Sequence, residues 1–189
     1  MKLGFEVYVT DKNGKVIDRR EGESRSWLIA WLQLIYGSMR GAAVTIKCAD
    51  GVNRNSARQY SCLDANGIAG DTTRGPVVGT GTTAVTLADF AMETQIAHGV
   101  GGGQLQYGAR VHVYPPVLRG KELYFKIRRT FTNGSGAPIN VNEFGVYAEI
   151  GDLSNEACIC RDVMTIPLVV PDAGALILTY RFRTEHTLP

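Results

Sequence analysis

The chain has 189 residues and a mass of 20.5 kDa, with 44% hydrophobic and 20% charged residues. That length makes one domain, or a domain with a small appendage, and roughly 70% of its surface can be buried without metal or disulfide staples. The composition excludes wholesale disorder, no apolar run reaches the roughly 20 residues of a bilayer-spanning helix, and a net charge of +2 lacks the basic excess of a dedicated nucleic-acid binder.

The opening, Met1-Lys2-Leu3-Gly4-Phe5-Glu6, has no continuous apolar core of the kind a secretory signal needs, so the chain is expected to fold in a reducing cytoplasm. Leu3 to Val9 alternates apolar and polar residues, and Asp11-Lys12-Asn13-Gly14 supplies a turn. Lys15 to Arg20 returns as a polar strand, giving a hairpin. One amphipathic helix follows, capped by Ser24 or Ser26 and stopped at Gly37. Its apolar positions are Trp27, Leu28, Trp31, Leu32, Leu34 and Ile35, a face broad enough to demand cover from a sheet or another subunit.

Short strands are expected over Ala43 to Cys48, Arg58 to Leu63 and from Pro76, separated by polar loops at Asp50 to Ser56 and Asp64 to Gly75. Leu87 to Ile96 reads as a short helix or an irregular crossing, and Gly99 to Gly103 as a flexible stretch. The second half alternates most clearly. Leu105, Tyr107, Ala109, Val111 and Val113 share a face, as do Leu123, Phe125, Ile127 and Phe131, and later Leu176, Leu178, Tyr180 and Phe182. Asn133 to Gly136 and Pro171 to Gly174 are turns. Period-two patterning with one polar face means antiparallel sheets. The expected fold is mainly β, an antiparallel β-sandwich of jelly-roll type with one N-terminal amphipathic helix. Residues 1–40 form the hairpin and helix, packed on a β-sandwich of residues 41–189.

Motifs with chemical meaning are few. Gly79-Thr80-Gly81-Thr82-Thr83 lacks the third glycine and the βαβ context of a dinucleotide fingerprint, so it reads as a flexible turn. His98, His112 and His186 sit in no nucleophile or zinc spacing. Cys158 and Cys160, two apart on a strand, are expected to face the same side as reduced thiols. Asp64, Asn66 and Asp71 match no calcium loop. Glu143 lies within an apolar strand, and a buried carboxylate wants a cation and hydrogen bonds. Arg128, Arg129 and Arg161 are its candidate partners, with Asp162 beside them, and a structural ion pair tying two strands is the expected role. Lys126, Arg128 and Arg129, like Arg19 and Arg20, read as a solvated sheet face. No catalytic residue, cofactor, metal or small-molecule substrate is expected.

Three stretches carry a resemblance. Val78 to Ile96 runs from Gly79-Thr80-Gly81-Thr82-Thr83 into Asp89-Phe90-Ala91-Met92-Glu93. Arg129 to Tyr147 holds Phe131-Thr132-Asn133 and then Val141-Asn142-Glu143-Phe144-Gly145-Val146-Tyr147. Arg161-Asp162 precedes Pro167 to Val170, a turn at Asp172 to Gly174, and Leu176 to Phe182. This ordered set resembles a diverse group of tailed-bacteriophage virion proteins, described as tail, fibre or minor structural proteins. It covers residues 76–184 well and 1–75 thinly. The resemblance implies a non-enzymatic part of the tail, neck or capsid surface, made in the host cytoplasm and assembled with its own copies and other virion proteins. The hairpin, with Phe5, Tyr8, Arg19 and Arg20, and the loop around Gly101 and Gly102 are the segments expected to reach a neighbouring subunit. A receptor- or glycan-binding module is the second reading and a β-sandwich hydrolase the third.

Overall fold

The computed structural model describes residues 2–24, 28–40, 43–55, 63–120, 122–150 and 155–185. Ser26, Trp27, Cys62, His186 and nearly all of the strand expected over 58–63 lie outside them. The protein is mainly β, with 55% of residues in strands, one short helix near the N-terminus, and antiparallel sheets of which one curls into a half-barrel.

The largest sheet contains β1 (Lys2–Thr10), β2 (Val16–Ser24), β6 (Gln106–Tyr107), β7 (Val111–Arg119), β8 (Glu122–Thr132) and β11 (Ala175–Glu185). Its order is β2-β1-β11-β8-β6, with β7 also paired to β8. The expected hairpin is there, but it does not stand off the body. β1 is hydrogen-bonded on both sides, with Val7 opposite Arg20 of β2 and Leu178 of β11. Leu3, Val7 and Val9 are buried beneath it. The first and last strands therefore close one sheet.

A second sheet has the order β10-β9-β5, from β5 (Gly75–Gly79), β9 (Ile139–Glu149) and β10 (Glu156–Val170). Its two faces are both covered, which is why residues 143–148 of β9 are buried without alternation. Even positions face the large sheet, where the Phe144 ring lies edge-on to Phe5 at 5.0 Å and near Tyr180 at 6.2 Å. Odd positions face the irregular crossing over residues 80–96, which forms no helix. Met92 N–H donates to the Tyr147 hydroxyl at 2.8 Å on that side. A small hairpin of β3 (Thr45–Lys47) and β4 (Asn53–Asn55) forms its own sheet, with Ile46 buried in the core and Ala49 N–H donating to the Glu156 carbonyl of β10 at 2.8 Å.

Helix α1 spans Ile29–Arg40. It runs through Gly37, since an internal glycine costs a helix only about 1 kcal/mol. Ser24 is the last residue of β2 and not a cap. Ala30 and Leu34 are buried, while Leu32, expected inside, is exposed. The helix docks on β10 where that strand bulges: Cys158 pairs with Tyr147 and Cys160 with Val146, adjacent residues of β9. The extra residue, Ile159, turns its carbonyl out to accept from Leu28 N–H at 3.2 Å. The same bulge overturns the expected common face of Cys158 and Cys160, because neighbours on β9 point to opposite sides. Both thiols are buried, and burial pushes both up from their ordinary range.

Two further expectations fail locally. The face drawn from Leu105 to Val113 breaks at Gly108–Arg110, between β6 and β7, so Leu105 and Tyr107 are buried but Ala109 and Val111 are exposed. On β8 the buried face includes Arg129 between Ile127 and Phe131.

Candidate functional site

Glu143 sits on the loop-facing side of β9 and is wholly buried. Its diagonal neighbour on β10, Arg161, lies opposite Gly145 and is only 3% exposed. Arg161 Nε donates to Glu143 Oε2 at 2.7 Å. The remaining carboxylate lone pairs are taken by backbone. Gly81 N–H and Thr94 N–H donate to Oε1 at 3.1 and 2.7 Å, and Glu93 N–H donates to Oε2 at 3.1 Å. Four donors on one carboxylate satisfy a buried charge that would otherwise be prohibitive.

The rest of the guanidinium is also spent. Arg161 Nη1 donates to Asp89 Oδ2 at 2.8 Å, and Nη2 to the Thr83 carbonyl at 3.2 Å and Glu93 Oε2 at 3.3 Å. Asp89 and Glu93 are held in turn by Thr86 and Thr83, each through backbone N–H and hydroxyl. Burial would raise the Asp89 carboxyl, but its bonds from Thr86 and Arg161 outweigh that and hold it below the usual range. The bonds from Thr83 lower Glu93. Burial works against Arg161, yet Glu143 and Asp89 raise it further.

Glycine is required here for space, not for an unusual backbone angle. A Cβ on Gly79 would lie 2.5 Å from Glu143 Oε1 and from the Thr94 carbonyl oxygen. A Cβ on Gly81 would lie 2.6 Å from Glu143 Oε1 and from Glu93 Cβ. The Gly79 to Thr83 segment is thus a backbone cradle around a carboxylate, which replaces the flexible turn read from its sequence.

Arg129 does not join this pair as expected. It is buried on the other flank, its guanidinium 4.9 Å from the centre of the Tyr107 ring. Five backbone carbonyls receive its hydrogen bonds: Gly108, Arg74, Pro76, Ile68 and Asp71, at 2.6 to 3.2 Å. Burial lowers its pKa, with Asp71 and Tyr107 opposing that effect. Arg129 therefore pins the 68–76 loop to β8. Arg74, in the same loop, pairs with Asp71 at 3.2 Å and Glu149 at 2.8 Å. Asp64 Oδ1 accepts from Asn66 N–H at 2.8 Å and Asp71 Oδ1 from Thr73, so these side chains organise the loop. Asp162 faces the large sheet and accepts from the Tyr180 hydroxyl at 3.0 Å.

The residues expected at a subunit contact are scattered. Phe5 is half-buried against Phe144. Arg20 bonds Asp18 and the carbonyls of Ile166 and Pro167, tying β2 to β10. Arg19 pairs with Glu6 at 2.8 Å on the outer face, the side that also carries Tyr8. Gly101 and Gly102 are exposed at a loop tip, where Gly101 N–H donates to Gln104 Oε1 at 3.0 Å.

A cleft of about 480 Å³ lies on the outer face of the large sheet. Gly4 and Thr179 lie at its floor, with Glu6, Glu21 and Glu23 on one side and Lys126, Arg181 and Arg183 on the other, and Arg183 Nη2 donates across to Glu23 Oε1 at 2.6 Å. At the Glu143 node the carboxylates, the guanidinium and the backbone donors bond one another. Fold and node together define a class: a mainly β, antiparallel protein centred on a structural ion-pair hub. No protein-family model, no curated protein and no solved structure matches the chain.

Proposed function

We propose that the chain is a non-enzymatic structural component of a tailed-phage particle, in its tail, neck or capsid-surface apparatus. It works by symmetric self-assembly and by contacts with other virion proteins after synthesis in the host cytoplasm. In this reading the two facing sheets form a jelly-roll-like β-sandwich. One observation carries the proposal. Part of each stretch behind the resemblance, namely Gly79 to Thr83 with Asp89 to Glu93, Val141 to Tyr147, and Arg161-Asp162, meets at the Glu143–Arg161 pair or directly beside it. Residues joined for an architectural reason suit a building block. The test is peptide mass spectrometry on gradient-purified, nuclease-treated particles from the source culture. Peptides at a fixed ratio to the major capsid protein are expected. Absence from DNA-containing particles, with abundance in the lysate, overturns the proposal.

The cleft over Gly4 favours a second reading, a receptor- or glycan-binding module of a fibre. Its carboxylates and cations, with Glu6, Glu21 and Lys126 beside the Arg183–Glu23 pair, suit a hydroxyl-rich ligand. Binding of the isolated chain to a glycan array, lost in Lys126→Ala, is the expected result of that reading; an array with no signal removes it.

A further inference from the structure

Helix α1 has two apolar faces. At about 100° per residue, Ala30, Trp31, Leu34 and Ile35 share the side turned to the body, where Ala30 and Leu34 are buried and Trp31 lies 6.4 Å from the Phe182 ring. Ile29, Leu32 and Tyr36 fall within roughly 60° of one another on the opposite side. They are 54%, 65% and 57% exposed. Leu87 extends the strip from the crossing loop. It is 71% exposed, and its carbonyl accepts from Ile29 N–H at 3.2 Å. A second apolar strip on a helix is normally covered as the first is.

We propose that this strip is the contact by which the chain pairs with a second copy of itself, α1 against α1 about a two-fold axis. The inference rests on the self-assembly reading above and names its interface. Area supports it. The four side chains offer roughly 500 Å² of mostly apolar surface, a patch of the size that marks contact sites and more than half of the ~800 Å² each partner gives to a standard interface. Charge selects the occupant. The helix has no acidic residue and a single cation, Arg40, at its C-terminal end. The strip therefore has nothing to steer a charged partner, and it is complementary to itself. An antiparallel pair opposes the helix dipoles favourably, whereas a parallel pair aligns them. Leu32 then lies near the axis.

Light scattering coupled to size exclusion tests this on the full chain and on Leu32→Glu, with Cys62→Ser variants for crosslinking. The cysteines among the described residues, Cys48, Cys158 and Cys160, are buried. The wild type is expected to be dimeric or a multiple of dimers, and Leu32→Glu to drop to half that mass with an unchanged circular-dichroism spectrum. Leu32→Cys is expected to form an intermolecular crosslink, and Leu118→Cys, on β7 and 73% exposed, to form none. If Leu32→Glu keeps the wild-type mass, the strip is not the interface, and the self-assembly reading survives through another surface. A wild type that is monomeric at the highest soluble concentration overturns the inference, and the particle mass spectrometry then decides the virion reading by itself.

Discussion

At Glu143 and Arg161 a salt bridge is more than two opposite charges. In many buried pairs both partners can be exchanged for apolar residues of similar volume at little cost. Here Gly81, Glu93 and Thr94 aim backbone N–H groups at the same carboxylate. Glu143→Gln keeps the shape but removes the charge facing Arg161, and is expected to lose about 3 kcal/mol in urea unfolding. The double variant Glu143→Leu with Arg161→Met is expected to regain little, because the three N–H groups lose their acceptor and that of Gly81 stays buried, at ~1–3 kcal/mol for a buried donor. Recovery of full stability in the double variant would show that the pair, and not the cradle, matters. The glycines give a second comparison. Gly81→Ala forces a Cβ to 2.6 Å from Glu143 Oε1 and is expected to cost at least 1–3 kcal/mol by overpacking. Gly102→Ala, with nothing within 4 Å, is expected to leave the melting temperature within a degree or so of wild type, as surface changes do. Equal effects at the two sites would remove the spatial argument.

The elements are joined by arches as much as by sheets. β8 leads to β9, and β10 to β11, and both links cross between the two larger sheets at one end of the molecule. Asn133, wholly buried, holds the crossings together. Its amide donates to the carbonyls of Ala137 and Val170 at 2.8 and 2.9 Å, and its Oδ1 accepts from Ser135 N–H and hydroxyl. Asn133→Ala is expected to cost about 2–4 kcal/mol, the loss of several hydrogen bonds with buried carbonyls left unpaired. Asn133→Asp is expected to match it, because a carboxylate retains the acceptor but has no donor for the two carbonyls. If chemical denaturation shows the aspartate variant near wild type, the donor role is wrong. The turn at Asn133 was legible in its sequence, and so was the alternation of Leu176 to Phe182, because local rules govern both. The sorting of arginines was not. Arg128 and Arg129 are adjacent, and only the arrival of the 68–76 loop distinguishes the exposed one from the buried one. One signal was available: Arg129 holds the same parity as Ile127 and Phe131, so a strict period of two already placed it inside. The bulge at Ile159 left no such trace, since Cys158-Ile159-Cys160 is uniformly apolar and its register is set by the β9 partner and the docking of α1.

For the molecule as a whole, the segments gathered at Glu143 make stability depend on acid. The crossing loop is clamped over the smaller sheet by Arg161 through Asp89 and Glu93, whose ordinary values are 3.8 and 4.5. Both are lowered in the folded chain. A carboxyl with a lowered folded pKa binds its proton more readily when unfolded, so the unfolded state gains as protons are added. The stabilisation is fully present above the ordinary values and is lost as the pH falls through the folded ones. Stability is therefore expected to be flat from neutral pH down to about 5 and to decline below about 4.5. Because Arg161 remains charged throughout, it is the protonation of its partners that releases the loop. Asp89→Asn removes one of those titrations, so this variant is expected to be weaker at pH 7 but to lose less on acidification. The measurement is the urea midpoint against pH for both proteins. Converging midpoints toward pH 3 identify Asp89 as a contributor to the acid response, while parallel curves place that response in other carboxylates, with Asp71, held low by Thr73 and Arg74, the next to test.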